Sequence, residues 1–252
     1  MGGDWLLGEV LAVLSGKGGT GKTSVCAGLA TALAREGKRV LCVDCDVGLR
    51  NLDISLGMTD SGALSFLDVC EGGYSLEQAA VHPLYPSLRF LTAPVNRPVQ
   101  EISQTAFSQM LRQARTQFDY IFLDAPAGVD AGFYLIAQPA DRFLLVTGPG
   151  PAAVRDAARV ADLLELMGKG NTRLIVNRVS RKMLRTVGTT IDDVMDTAGL
   201  PLIGVVLEDP RVTLAASFGQ PLLQYGPKGP AAKALRRIAK RIEGYPVPVS
   251  LR

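Results

Sequence analysis

Short apolar runs alternate with longer segments of helical periodicity along most of the chain. The apolar runs predict strands, and their nearly continuous hydrophobic character is typical of strands buried on both faces of a sheet. The predicted strands are Val10–Leu14, Arg39–Val43, Leu88–Thr92, Tyr120–Leu123, Arg142–Thr147, Arg173–Asn177 and Leu202–Val206. The predicted helices are Thr23–Arg35, Leu64–Cys70, Thr105–Gln117, Val154–Met167, Thr190–Ala198 and Ala231–Glu243. This alternation predicts an α/β fold with one mostly parallel, twisted sheet and helices on both faces.

No linker, internal repeat or low-complexity segment interrupts this pattern, so we predict a single domain over residues 10–243. A lead-in at residues 1–9 precedes it, and a proline-containing tail at residues 244–252 follows it. The 252 residues are 47% hydrophobic and 20% charged, which suits one domain with a substantial core. Ligands of such sheets bind beyond the carboxyl ends of the strands, so the segments after the predicted strands are the first candidates for a site.

A glycine-rich loop follows the first predicted strand and opens the first predicted helix. Residues 16–23 read GKGGTGKT and fit the phosphate-binding pattern G-x-x-x-x-G-K-S/T of P-loop NTPases without gaps. Glycines permit the tight turn, and backbone N–H groups converge on phosphate oxygens at the helix N-terminus. Lys22 is expected to reach the β- and γ-phosphates, and the Thr23 hydroxyl to bind Mg²⁺. The predicted nucleotide-binding residues are Gly16, Lys17, Gly18, Gly19, Thr20, Gly21, Lys22, Thr23 and Ser24.

Carboxylates follow two further predicted strands. Asp44 and Asp46 come directly after the second strand, and Asp124 ends the fourth. Carboxylates beside a buried strand are costly unless they meet a cation or solvent, and a Mg²⁺–nucleotide complex supplies the cation. Asp124 has the Walker B arrangement, in which a carboxylate completes the Mg²⁺ shell. The loop and these carboxylates together predict a Mg²⁺-dependent ATPase.

The spacing KGGTGKT at residues 17–23 resembles the deviant Walker A loop of the MinD/ParA family of dimeric ATPases. Residues 48–53, GLRNLD, resemble the MinD branch more closely than ParA, and residues 126–128 resemble the family's switch II. The resemblance runs from about Val10 to Glu243, nearly the whole chain. It implies that Lys17 reaches across a dimer interface to the partner's nucleotide.

The resemblance also assigns roles to individual residues. It implies that Lys17, Lys22 and Asp46 are catalytic, with Asp46 positioning the attacking water. It implies that Thr23, Asp44 and Asp124 hold Mg²⁺, with Asp44 acting through bound water. Asn177 resembles the purine-contacting asparagine of these ATPases, although an asparagine at a strand end is also a common turn former. Asp209 resembles a residue of the loop that closes over the base.

The function implied by the resemblance is an ATP-dependent homodimer that hydrolyses ATP to ADP and phosphate and acts in division-site placement. Its partners would be a division inhibitor and an ATPase-stimulating protein. A ParA-like, DNA-associated partitioning ATPase is the alternative, since a basic cluster is enough to contact phosphates, although a solvated face is the simpler account of that cluster. A flagellar-number regulator of the same family is a further alternative. The basic cluster consists of Arg178, Arg181, Lys182 and Arg185.

Composition and the tail favour a cytoplasmic protein. The chain has a net charge of +3, no apolar run long enough for a membrane span, no secretion signal, and four cysteines without disulfide-framework spacing. Cys42 and Cys45 form a C-x-x-C pattern, but on a strand they are expected to point to opposite faces and to pack in the core. MinD proteins usually add an amphipathic membrane-targeting helix, whereas Pro246 and Pro248 exclude a helix in this tail. Peripheral attachment at the inner face of the cell membrane is therefore the less favoured alternative.

Overall fold

An eight-stranded sheet runs through the computed structural model, which describes residues 7–95 and 97–249. The strands are β1 (Glu9–Leu14), β2 (Val40–Asp44), β3 (Ala80–Val81), β4 (Leu88–Leu91), β5 (Tyr120–Asp124), β6 (Arg142–Thr147), β7 (Thr172–Val179) and β8 (Leu202–Leu207). Their order across the sheet is β3-β4-β2-β5-β1-β6-β7-β8. Every pairing is parallel except that of β3 with β4. The predicted fold class, a mostly parallel α/β sheet, is confirmed.

Helices cover both faces of this sheet. In the described residues they are α1 (Lys22–Arg35), α2 (Leu52–Leu56), α3 (Phe66–Cys70), α4 (Gln104–Gln117), α5 (Ala131–Ala137), α6 (Pro151–Leu166), α7 (Arg181–Val187), α8 (Ile191–Ala198), α9 (Pro210–Ser217), α10 (Leu222–Tyr225) and α11 (Pro230–Ile242). The seven predicted strands and six predicted helices are all present, with ends that differ by at most about one helical turn. The elements that were not predicted are β3, α2, α5, α7, α9 and α10. All but α9 have seven residues or fewer, too few for a clear period, and α9 buries only Ala215.

The sheet buries apolar side chains on both faces. In β1, Val10, Ala12 and Leu14 belong to the core under α3 to α6, whereas Leu11 and Val13 belong to the core under α1 and α11. Because successive strand residues point to opposite faces, a strand covered on both sides is apolar throughout. The central strands therefore form a rigid, dry base for the loops at their carboxyl ends.

The same alternation explains the C-x-x-C pattern. Cys42 lies in the core on the α1 side, and Cys45 lies in the core on the opposite side, as predicted. The single histidine, His82, is also buried, with Nε2 2.8 Å from the Leu56 carbonyl and Nδ1 accepting the Leu84 N–H at 3.0 Å. Burial lowers the pKa of His82. These residues therefore support the core and its loops.

Helix α11 packs on the sheet through its apolar face, as predicted. The apolar side chains of that face, Ala231, Ala234, Leu235, Ile238 and Ile242, are all buried. Helix α1 approaches so closely that a Cβ placed on Gly28 would lie 2.5 Å from Leu235 Cδ1. No described helix is long and apolar enough to cross a lipid bilayer. The described part of the tail, residues 244–249, contains no helix, and residues 1–6 of the predicted lead-in lie outside the described residues.

Candidate nucleotide-binding site

The glycine-rich loop lies between β1 and α1, at the carboxyl edge of the sheet. Gly19 and Gly21 have φ angles of 80° and 85°, in the left-handed region that glycine adopts at no steric cost. Gly21 precedes the first turn of α1, and no side chain caps that turn. The N–H groups of the turn are therefore available to an anion, and the positive end of the helix dipole favours one there.

Two buried hydroxyl groups of the loop have no protein partner. Ser15 Oγ and Thr20 Oγ1 are inaccessible to solvent, and no described residue lies within hydrogen-bonding distance of either atom. A buried hydroxyl without a partner costs about 1–3 kcal/mol, so such groups are rare unless a ligand satisfies them. The loop therefore fits a ligand with several oxygen atoms, as a nucleotide phosphate chain has.

Lys22 forms a buried ion pair with Asp124. The Lys22 ammonium lies 2.7 Å from Asp124 Oδ1 and 3.3 Å from the Thr23 hydroxyl. Only 6% of Lys22 and 1% of Asp124 are exposed. Burial lowers the pKa of Lys22, but the charge and hydrogen bond of Asp124 outweigh it, so the net shift is upward. The loop lysine is therefore held in its charged form beside a carboxylate that lies 102 positions away in the chain.

Asp44 stands next to Asp124, because β2 pairs with β5 in the register that places the two aspartates side by side. Its carboxylate accepts hydrogen bonds from the backbone N–H groups of Asp46 at 2.9 Å and Leu52 at 3.1 Å. Burial raises the pKa of Asp44 to about 7, and the neighbouring Asp124 adds to the effect. Asp44 therefore fastens both ends of the loop at residues 46–52.

The predicted Mg²⁺ ligands come together at this point. The Lys22 ammonium contacts both the Thr23 hydroxyl, at 3.3 Å, and Asp124 Oδ1, at 2.7 Å, and Asp44 is adjacent to Asp124 in the sheet. Among the described residues, no group of three or more His, Cys, Asp or Glu side chains forms a dedicated metal cage. Two carboxylates and one hydroxyl suit Mg²⁺, which usually keeps several waters and binds phosphate oxygens as well. When bound, the ion neutralises charge on the phosphates.

Asp46 lies on the wall of a cavity of about 420 Å³ between two loops. Its Oδ1 accepts the N–H of Leu49 at 3.2 Å, and the opposite wall contains Pro126 and Ala127. Gly128, whose φ is 93°, donates its N–H to the Ser15 carbonyl at 3.0 Å. The loop after β5 is therefore bonded directly to the start of the phosphate-binding loop, as a segment that responds to the phosphates needs to be.

The two lysines of the phosphate-binding loop have opposite environments. Lys22 is buried, whereas Lys17 is exposed, as are Gly18 and Gly19 beside it. No hydrogen bond or ion pair joins the Lys17 side chain to another described residue. Lys17 is thus a cation at the rim of the site that no other described residue of its chain engages.

A second cavity, of about 400 Å³, adjoins the loop between the carboxyl ends of β7 and β8. Asn177 lies in its wall, donates through Nδ2 to the Thr20 carbonyl at 2.8 Å, and keeps its Oδ1 without a donor among the described residues. Asp209 also lines the cavity, but its oxygens accept the backbone N–H groups of Arg211 at 3.1 Å and Ala231 at 3.3 Å. Asn177 therefore has an acceptor to offer a base, whereas the Asp209 carboxylate caps two helices.

Arg178 belongs to this site rather than to the basic cluster in which the sequence analysis placed it. The β7–β8 pairing is irregular between Val176 and Val179, and Arg178 has a φ of 55°. Its Nε lies 3.6 Å from where a Cβ on Gly21 would be. Lys182 and Arg185 are exposed on α7, and the side chain of Arg181 lies outside the described residues. The sequence signal that could have placed Arg178 in this site is its position directly after Asn177, at the end of a predicted strand.

Removing the Arg178 guanidinium is expected to weaken Mg-ADP binding by about tenfold, because hydrogen bonds to charged groups contribute about 1.5–3 kcal/mol. Arg178→Ala and Arg178→Gly should lose the same affinity in isothermal titration calorimetry. Arg178→Gly should be more stable than Arg178→Ala in urea unfolding by about 1 kcal/mol, because glycine accepts the left-handed backbone.

Lys182→Ala is the matched control for removal of an exposed cation. Equal Mg-ADP affinity for Arg178→Ala and the unsubstituted protein would contradict a role for the guanidinium. Equal losses in Arg178→Ala and Lys182→Ala would show that only overall charge matters.

Comparison with known proteins is consistent with this geometry. A family model described as the CobQ/CobB/MinD/ParA nucleotide binding domain matches residues 11–222. The septum site-determining protein MinD of Synechocystis sp. is 37% identical over 244 residues, which are 96% of this chain and 92% of that protein. Among solved structures, the MinC:MinD cell division protein complex of Aquifex aeolicus matches with a TM-score of 0.89 and 35% identity, covering 96% of this chain and 98% of that one.

A structure of MinD from Pyrococcus horikoshii OT3, solved with Mg-ADP, matches with a TM-score of 0.82 and 27% identity over 94% of this chain and 96% of that one. The span matched by the family model, residues 11–222, contains the loop, the carboxylates that end β2 and β5, and Asn177. The resemblance predicted from residues 17–23 and 48–53 is confirmed. The chain therefore belongs to the CobQ/CobB/MinD/ParA family of nucleotide-binding proteins and is of the MinD type.

Proposed function

We propose that the chain hydrolyses ATP to ADP and phosphate as a homodimer that forms in response to ATP, and that this switch acts in placing the division site. The observation that carries the proposal is the contrast between the two loop lysines. Lys22 is buried beside Asp124 of its own chain, so it can serve only the nucleotide bound to that chain. Lys17 is exposed, and its side chain bonds to no other described residue, so it is free to contact a second chain.

The positions of the side chains support the following division of roles. Lys22 and the N–H groups at the start of α1 hold the phosphate chain, and Thr23, Asp44 and Asp124 hold the cation. Asp46 accepts a hydrogen bond from the attacking water and orients it toward the γ-phosphorus. Lys17 of the partner subunit stabilises the charge that develops as the bond to the β-phosphate oxygen breaks. Positioning and charge account for most of the catalysis of phosphoryl transfer, so no protein nucleophile is needed.

Asn177 and Arg178 complete the nucleotide site at its other end. Asn177 ties the loop to β7 through the Thr20 carbonyl, and its free Oδ1 can accept from an exocyclic amino group such as that of adenine. Asp209 shapes the wall by fixing the first turns of α9 and α11. The proposed base recognition therefore depends on Asn177 more than on Asp209.

The proposed partners are cell-division regulators, of the inhibitor type and of the ATPase-stimulating type. The similar structure from Aquifex aeolicus is a complex of MinC with MinD, which supports a partner of the first type. Identity above one third to septum site-determining proteins over nearly the whole chain favours this role over DNA partitioning. All four cysteines are free thiols, which favours a cytoplasmic location.

The specific ATPase rate is expected to rise with protein concentration and then to level off, because a complete site requires two chains. Turnover should be measured from far below to far above the dimer dissociation constant, with mass determined in parallel by light scattering. The 26.8 kDa chain should be monomeric with Mg-ADP and double its mass with Mg-ATP. Equal specific activity at very low and very high concentration would refute the dimer-gated reaction.

Separate titrations with anionic liposomes and duplex DNA distinguish the division role from partitioning. We expect duplex DNA to leave the rate unchanged. Stimulation by DNA alone, falling steeply with salt, would overturn the division-site role, because release of counterions from DNA is the signature of phosphate contacts.

A further inference from the structure

Three arginines converge at the edge of the sheet opposite the nucleotide site. Arg142 begins β6, Arg173 lies at the start of β7, and Arg241 is in the last turn of α11. With Asn171 and residues 244–247 they line a cavity of about 370 Å³. No acidic side chain is among the described residues that line it. Because strands begin at this edge, the cavity is separated from the phosphate-binding loop by the length of the sheet.

Among the described residues, a carboxylate pairs with only one of the three guanidinium groups. Arg142 lies 3.0 Å from Glu9 Oε1, and it also donates to the Ile242 carbonyl at 2.9 Å. Arg173 makes one hydrogen bond, to the carbonyl of Thr172 at 3.3 Å, and no carboxylate of the described chain lies within ion-pair distance of it. Most of its five N–H donors therefore remain available.

The partners of Arg241 within the described part of the chain are neutral groups. Its Nε donates to the Val247 carbonyl at 2.6 Å, and its Nη1 donates to the Ile203 carbonyl. No carboxylate forms an ion pair with it among residues 7–95 and 97–249. Burial lowers the pKa of Arg241, and the like charge of Arg237 acts in the same direction. Its positive charge is thus partly desolvated and uncompensated, which is unfavourable without an anion nearby.

The Nη2 atom of Arg241 is buried and has no hydrogen-bond acceptor. In the described residues only three buried side-chain nitrogen or oxygen atoms lack a partner, and the other two are Ser15 Oγ and Thr20 Oγ1 of the phosphate-binding loop. A buried polar atom without a partner, the feature that marks the nucleotide site, therefore recurs on Arg241, one of the three arginines that line the second cavity.

We propose that the cavity lined by Arg142, Arg173 and Arg241 is a second anion site, which binds a phosphate group of a ligand other than the hydrolysed nucleotide. Arg173 keeps most of its N–H donors, and a guanidinium presents parallel donors to two phosphate oxygens; Arg241 adds its positive charge and the unbonded Nη2. A cavity of about 370 Å³ also leaves room for the group that carries the phosphate. A small phosphate ester and a phospholipid headgroup share this chemistry. The site does not depend on the proposed ATPase activity.

Inorganic phosphate is the first probe, added to protein saturated with Mg-ADP so that the phosphate-binding loop is already filled. Saturation is verified beforehand by calorimetry, so failure of nucleotide binding is seen separately. Phosphate should raise the melting temperature, and Arg173→Ala should weaken its binding at least about tenfold. Arg112→Ala removes an exposed cation on α4 and should leave binding unchanged. No effect of phosphate, or equal effects in both variants, would overturn the proposal.

Asn171→Asp provides a second test that does not depend on losing a cation. A carboxylate introduced beside unmatched arginines should raise the melting temperature without phosphate and abolish the phosphate effect. Gln113→Glu adds the same charge at an exposed position on α4 and should do neither. A lower melting temperature of Asn171→Asp together with retained phosphate binding would contradict the proposal, because it would show that the arginine charges are already compensated.

Vesicle sedimentation separates the two sources of the phosphate. Vesicles of phosphatidylglycerol and of phosphatidylcholine are compared, with the unsubstituted protein and with Arg173→Ala. Sedimentation with phosphatidylglycerol that is lost in Arg173→Ala assigns the site to a lipid headgroup. Phosphate binding without such sedimentation assigns it to a small phosphate ester. Absence of both refutes the site.

Discussion

Replacing Lys17 with alanine is expected to lower the ATP turnover rate by about three orders of magnitude, the range in which a cation supplied in trans acts on phosphoryl transfer. Mg-ADP affinity and stability should change little, because Lys17 is exposed and no other described residue engages it. Steady-state turnover at saturating ATP, calorimetry with Mg-ADP and urea unfolding measure the three quantities. Lys182→Ala, which removes an exposed lysine on α7, should leave all three near their original values.

A mixing experiment decides whether Lys17 acts across the dimer. Lys17→Ala and Asp46→Ala should each be inactive alone, because each lacks one part of every site. In an equal mixture half of the dimers are mixed, and each of these has one complete site, so about a quarter of the original activity should return. Absence of recovery in verified mixed dimers would mean that Lys17 serves its own chain.

Replacing Asp124 with asparagine is expected to abolish Mg²⁺-dependent turnover and to destabilise the nucleotide-free protein by about 3–5 kcal/mol. Asparagine has nearly the same size, but it leaves the buried Lys22 ammonium without its counter-charge 2.7 Å away. Urea unfolding without nucleotide measures the loss of stability, and turnover at saturating ATP measures the loss of activity. Unchanged stability would show that Lys22 does not depend on this carboxylate.

Two comparisons make this result specific to the buried pair. Asp119→Asn breaks an exposed ion pair with Arg39 and should cost about 1 kcal/mol or less. The double variant Lys22→Met, Asp124→Asn should recover much of the stability lost in Asp124→Asn, because no unpaired charge is left buried. It should recover no activity, since both the phosphate contact and the cation ligand are gone.

Elements with a strong apolar pattern were predicted from the sequence more accurately than elements without one. Strands such as Arg142–Thr147 were located at their observed bounds, because a strand buried on both faces carries a continuous apolar signal. Helices α9 and α10, which form part of the cavity beside Asn177, were not predicted. Helix α10 has only four residues, and α9 buries only Ala215, whereas α8, of equal length, buries Val194 and Ala198. The wall of the cavity opposite Asn177 was therefore not predictable from the sequence.

Site residues that are adjacent in the sequence were predicted more accurately than residues that only the fold brings to the site. The loop at residues 16–23 is recognisable from a single stretch, because its backbone geometry is determined by local glycines and the start of one helix. Arg178 was assigned to a solvated face, since sequence spacing does not reveal the irregular β7–β8 pairing and the φ of 55° that turn it toward the loop. The roles of Lys17, Asp44, Asp46, Asn177 and Asp209 stay predictions, and the variants above test those of Lys17 and Asp46.

The sequence by itself determined the nature of this protein: a parallel α/β fold, a phosphate-binding loop with two lysines, and acidic residues after two strands. These are local patterns, set by side-chain periodicity and backbone conformation over a few residues. The tertiary structure alone decided that Lys22 is buried on Asp124 while Lys17 is exposed, and that Asn177 holds the loop across 157 positions. It also brought three distant arginines to one cavity. Such contacts depend on strand order and register, which a linear pattern of apolar and polar residues does not specify.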